Sequence, residues 1–128
     1  MKKIFIFFSF LFFIIIFVSC KKENNDIDLP EIDKILTINI FNDGSVNSYI
    51  DKEDIKNIVS IILDSNKTSK DSVNEIPNTE SYIVLEMVTS DKTYTIYLYN
   101  KNEEIYLEIP YQGIYEVNEK LYEFLEIS

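Results

Sequence analysis

Apolar and polar positions alternate over residues 35–41 (ILTINIF), which puts Leu36, Ile38 and Ile40 on one face of an extended segment. Asn42-Asp43-Gly44-Ser45 follows. An Asp-Gly pair at this point predicts a two-residue type I′ hairpin turn, because Gly takes positive φ at little cost, and residues 46–50 then pair back as a second strand. At Asp51 the period changes. Ile55, Ile58, Val59 and Ile62 recur at the spacing of one helical face, with Asp51 placed to cap free N–H groups and Glu53 and Asp54 at the positive end of the helix dipole. The helical pattern ends near Leu63. Residues 64–80 (DSNKTSKDSVNEIPNTE) form a polar connection around Pro77. So long a loop is uncommon in a small domain and often functional; it could also cross the sheet edge or hide a short strand.

Three more alternating segments follow. Ile83, Leu85 and Met87 share one face, with Tyr82, Val84, Glu86 and Val88 opposite. Tyr94, Ile96 and Leu98 share the next, with Thr93, Thr95, Tyr97 and Tyr99 opposite. Ile105, Leu107 and Ile109 share the third, with Tyr106 and Glu108 opposite. Pro110-Tyr111-Gln112-Gly113 interrupts the run, since Pro cannot donate to a ladder and Gly113 can take left-handed geometry; Pro110 and Gly113 therefore predict a structural turn, with residues 114–117 resuming as a strand. Asn118 caps a final helix whose apolar face is Leu121, Tyr122, Phe124 and Leu125. The expected fold is α+β: a two-layer sandwich over residues 34–128, with a mainly antiparallel sheet of five to six strands and two helices on one face, in the order ββα-ββββ-α.

The N-terminus follows a different logic. Met1-Lys2-Lys3 is a positive start, residues 4–18 are apolar except for Ser9, and Ser19-Cys20-Lys21-Lys22 follows. A 15-residue apolar run is short for a bilayer span and suits a secretory signal. With the lone Cys at its end, residues 1–20 resemble a bacterial lipoprotein signal; Ser19 and Val18 suit that motif, while Phe17 stands where Leu is usual. The resemblance implies cleavage after residue 19, acylation of Cys20 and an extracytoplasmic domain held at the cell membrane by lipid; an uncleaved signal anchor is the other reading. Acyl chains contribute about 0.8 kcal/mol per buried CH₂, so more than one holds a small domain stably. Residues 20–33 are polar, acidic and broken by Pro30, which reads as a flexible tether. Its acids lack the Gly and the closing Glu of an EF-hand loop, so no metal site is expected there.

Composition narrows the function classes. The 128 residues carry 22 Asp+Glu against 12 Lys, with no Arg and no His, for a net charge of −10. Such a balance repels a polyanion and argues against nucleic acid. One Cys and no His remove the usual thiol and imidazole metal ligands. Only Gly44 and Gly113 are present, so no phosphate-cradling glycine loop can be built and no cofactor is expected.

The segments SVNEIPNTESYIVLE (72–86) and YLEIPYQGIYEV (106–117) resemble a family of short, uncharacterised extracytoplasmic domains of unknown function from Firmicutes. That resemblance implies a genuine domain in a Gram-positive surface setting, and no activity.

The candidate site is the outer sheet face, where Tyr82, Tyr97, Tyr99 and Tyr106 are expected beside Glu86 and Glu108. Tyrosine offers a flat apolar body with a polar tip, which suits interfaces with a protein or peptide, and the carboxylates favour a cationic partner. The same pattern suits a plain solvated sheet face, or a face covered by the 64–80 loop. A lipid-anchored binding module is the leading reading. An inhibitor or immunity-type lipoprotein against an exported enzyme or toxin is the alternative, since a small acidic domain can block a basic cleft. Catalysis by Glu86 and Glu108 is disfavoured, because neither His nor a nucleophile–base pair accompanies them.

Overall fold

The computed structural model describes residues 27–127. The signal segment, Cys20 and tether residues 20–26 lie outside the described residues. Seven strands form one sheet: β1 (Thr37–Asn42), β2 (Ser45–Tyr49), β3 (Asn66–Lys67), β4 (Ile83–Val88), β5 (Thr93–Lys101), β6 (Glu104–Ile109) and β7 (Gly113–Glu116), in the spatial order β2-β1-β4-β5-β6-β7-β3. All neighbouring pairs are antiparallel. Among the described residues two α-helices, α1 (Lys52–Leu63) and α2 (Lys120–Phe124), complete an α+β fold.

Period-2 patterning sets the sheet faces. Ile38 and Ile40 of β1, Ile83, Leu85 and Met87 of β4, Ile96 and Leu98 of β5, and Leu107 and Ile109 of β6 turn to the same side. There they meet Ile55, Ile58, Val59 and Ile62 of α1 and Leu121, Tyr122 and Leu125 at the C-terminal helix in one core. Full burial of each such aliphatic side chain contributes about 1.5–3 kcal/mol. The start of α1 is fixed as its sequence predicts: the Asp51 carboxylate accepts the Glu53 N–H at 2.8 Å.

Four features depart from the sequence reading. The strand count is seven, because the 64–80 connection begins with the two-residue strand β3, paired with β7 through Asn66–Glu116 and Lys67–Tyr115. Two residues are too few to show alternation. The expected order ββα-ββββ-α therefore gains a strand after α1. Leu36 is exposed while Ile35 is fully buried, since a 3₁₀ turn (Ile32–Lys34) leads into β1 and the strand phase begins only at Thr37. Gly113 does not take the left-handed backbone; Tyr111 does, with φ 63°, inside a three-residue loop closed by the Ile109–Gly113 pair. Gly113 serves instead as floor space: a Cβ there would sit 3.3 Å from the Tyr115 hydroxyl, and Tyr115 is itself buried. Finally, within the stretch expected as tether, Ile27, Leu29 and Ile32 pack against the core.

Two hairpins solve the same steric problem differently. Asp43 and Gly44 join β1 to β2 with φ 47° and 82°; Asn102 and Glu103 join β5 to β6 with φ 52° and 66°. Both are two-residue loops with positive φ at each position, as type I′ requires. Left-handed backbone costs a residue bearing a Cβ roughly 1–2 kcal/mol. Glu103→Gly is expected to raise stability by about 1 kcal/mol, read as a higher urea midpoint. Gly44→Ala, where a Cβ meets nothing within 4 Å, is expected to lower it by backbone strain alone. Unchanged midpoints in both variants would contradict this account of the turns.

Candidate functional site

The face opposite the helices carries all six residues singled out from the sequence. Register places Val46, Phe41, Val84, Tyr97, Glu108 and Ile114 in one row across six strands. Glu86 lies in the neighbouring row opposite Asn39 and Thr95, and Tyr99 pairs with Tyr106 two positions further along β5. Tyr82 immediately precedes β4 and meets Tyr97 edge to face, with ring centroids 5.2 Å apart and planes at 88°. Tyr99 and Tyr106 lie 5.9 Å apart at 31°.

These residues divide between two environments. After β3 the chain passes to the outer face and runs across β5–β7 as a strap. Thr68 begins it, its N–H and hydroxyl both donating to the Ile114 carbonyl at 3.0 and 2.8 Å. Ser72 then sits over Glu108, and its hydroxyl donates to Glu108 Oε1 at 2.8 Å while the Tyr99 hydroxyl donates to Oε2 at 3.3 Å. The Tyr111 N–H donates to the Ser72 hydroxyl at 3.3 Å, so one serine joins strap, sheet and the β6–β7 corner. Ser72 and Glu108 are 7% and 5% exposed, a depth at which a carboxylate needs donors. Between strap and sheet lies a cavity of about 410 Å³, lined on the sheet side by Tyr99, Lys101, Tyr106, Glu108 and Ile114.

The other half is uncovered. Phe41, Val46 and Tyr82 are exposed, with Val84, Glu86 and Tyr97 half-buried between them. Glu86 and Glu108 do not share a site: β5 lies between their strands, and they stand in adjacent rows, roughly 10 Å apart across the sheet on strand spacing alone. The carboxylates that do meet are Glu104 and Glu116, where a hydrogen bond and the Glu116 charge raise the Glu104 pKa. That pairing runs diagonally between β6 and β7 and needs the register to be seen. Pro110 and Gly113 flank the β6–β7 corner, where the Gln112 side chain accepts the Asp28 N–H at 3.0 Å. Sequence reasoning missed Ser72 and Lys101, whose partners are more than thirty residues away or set by pairing. The length of the 64–80 connection was the one local signal. Among the described residues no group of three or more acids and thiols could hold a metal ion, and no helix is long and apolar enough to cross a membrane.

Burial pushes the Tyr99 phenol up to about 12, helped by the charge on Glu108 and the hydrogen bond to it. Burial also raises Tyr97, followed by Tyr82 and the carboxylates of Glu75, Glu86 and Glu108. The ordinary tyrosine value is 10, so below pH 10 Tyr99 keeps its proton in both folded and unfolded chains. Between pH 10 and 12 the unfolded chain releases it first, and stability falls. Urea unfolding at pH 9, 10 and 11 is expected to show that fall, with a shallower slope in Tyr99→Phe. Equal slopes would place the alkaline sensitivity elsewhere.

Comparison with known proteins agrees with the fold. A protein from Ruminococcus gnavus solved by NMR is similar, with 32% sequence identity and a TM-score of 0.63 over 70% of this chain and 89% of that one. No curated protein matches. The model of the DUF5301 family, described as a domain of unknown function (DUF5300), matches residues 23–116, and the chain belongs to that family.

Proposed function

We propose that the protein is a lipid-anchored extracytoplasmic binding module whose recognition surface is the open half of the outer sheet face. The observation that carries this reading is the split of that face. A strap closes over Tyr99 and Glu108, while Phe41, Val46 and Tyr82 stay exposed in a cross-strand patch that ends on the Tyr82–Tyr97 pair. Burying the whole face would protect its apolar side chains; covering half leaves aromatic area at the place where Glu75 and Glu86 act on Tyr97. An edge-to-face tyrosine pair with carboxylates beside it favours a protein or peptide partner that offers Lys or Arg, which stack on aromatic faces and pair with acids. The net charge of −10 steers such a partner inward from solution.

Two experiments test the proposal. Full-length chain displayed on cells is expected to retain a cationic surface partner that raised salt weakens. Tyr82→Ser/Tyr97→Ser is expected to lose it with unchanged circular dichroism, and a partner held equally by both would overturn the placement. Radiolabelled palmitate is expected on the wild type and absent from Cys20→Ala, which leaves the membrane fraction; label persisting on Cys20→Ala would sink the anchor.

A further inference from the structure

The cavity under the strap is separate from the open half of the face and has a different chemistry. Carboxylates and ammonium groups line it in equal number, Asp71 and Glu108 against Lys70 and Lys101. That balance favours neither a simple anion nor a simple cation. Its volume of about 410 Å³ falls within the usual range for a small-ligand site, roughly 300–1,000 Å³. Opposite charges also stand at opposite ends of its floor. Glu108 faces Tyr97 across the β5–β6 ladder, while Lys101 ends β5 four residues further on, about 13 Å along the strand. Between the two ends lies the Tyr99–Tyr106 pair. Over the floor the strap contributes the side-chain amides of Asn74 and Asn78, each with both a donor and an acceptor.

We infer that this cavity is a binding site for a short zwitterionic peptide, with the peptide ammonium on Glu108, its carboxylate on Lys101, and its backbone between the tyrosine pair and the strap asparagines. Glu108 accepts one hydrogen bond on each oxygen, from Ser72 and Tyr99, and an ionised carboxylate has about four acceptor positions. Capacity therefore remains for an ammonium group, and the two hydroxyls hold the carboxylate in place for it. Length selects the ligand. The termini of a single amino acid are too close to reach both ends, whereas an extended tripeptide spans roughly 10 Å and leaves the remainder to the Glu and Lys side chains. The strap residues that line the roof flank Ser72 on both sides, Lys70 and Asp71 before it and Val73, Asn74 and Asn78 after it, so the Ser72–Glu108 bond fastens the roof to the floor near its centre.

The test is calorimetric titration of the full-length chain in detergent with triglycine, N-acetyl-triglycine and triglycine amide. Free triglycine is expected to bind saturably, and capping either terminus to weaken binding by at least about tenfold, the worth of one charge-assisted hydrogen bond. Lys101→Met, at an exposed position, is expected to abolish the preference for triglycine over its amide while keeping the preference over the acetylated peptide. Glu108→Gln is expected to do the reverse. Equal affinities for free and capped peptides, a Lys101→Met variant that still distinguishes the amide, or no saturable triglycine binding would each overturn the inference. None of these results bears on the partner proposed for the open half, which Tyr82→Ser/Tyr97→Ser tests separately.

Discussion

A carboxylate taken out of water must be met by donors, and Glu108 imposes that demand in the middle of the outer sheet face. Its partners come from two distant parts of the chain, Ser72 of the strap and Tyr99 of β5. Much else follows from that requirement. The strap is held down over β5–β7 because Ser72 is bonded there, and the Tyr111 N–H is satisfied by the same hydroxyl. The face is thereby divided, since the connection runs from β3 at one sheet edge to β4 and passes only the three strands between them. The uncovered aromatic patch and the roofed cavity are two consequences of one buried acid.

The helix-side layer was largely legible in the sequence, and the reason is periodicity. Each of β4, β5 and β6 alternates cleanly, and Ile55, Ile58, Val59 and Ile62 repeat at helical spacing, so inward-facing residues could be named before any pairing was known. All six candidate face residues could also be placed on the correct side of the sheet. Their grouping could not. Whether Tyr99 sits with Tyr82 or with Tyr106 depends on register and on where the strap crosses, and neither leaves a periodic trace. The strap itself is polar and irregular, and its decisive residue, Ser72, resembles any other loop serine until its partner thirty-six positions away is known.

Local backbone chemistry misled in an instructive way. With only two glycines, the chain has few places to put left-handed residues, and a reader assigns that role to each glycine in turn. Gly44 fills it. Gly113 does not, because it lies in β7 and its missing side chain makes room for the buried Tyr115 ring. Left-handed geometry falls instead to Asp43, Asn102, Glu103, Tyr111 and Glu126, of which only the Asp and Asn are types that adopt it readily. Glycine scarcity thus shifts strain onto hairpin and corner residues, and Tyr111 bears it at the corner that also secures the strap.

That corner further connects the strap to the start of the domain. Composition makes residues 20–33 look uniformly tether-like, yet Ile27, Leu29 and Ile32 pack on the core, and Gln112 holds the Asp28 backbone through both its side-chain oxygen and nitrogen. Average polarity hides three apolar residues at spacings that suit neither a strand nor a helix for long. The consequence is geometric. Asp28 lies eight residues after Cys20, and an extended chain covers at most about 3.6 Å per residue. A lipid on Cys20 would therefore keep the Gln112 corner within roughly 29 Å of the membrane surface. Tyr111, next to Gln112, is bonded to Ser72, so the Asp28 segment and the strap share one corner of the fold. Under the proposed Cys20 anchor, a ligand beneath the strap would be met close to the membrane. The Val46 end of the open patch lies at the opposite sheet edge, five strands from β7, so the same anchor would leave the proposed recognition surface farther out.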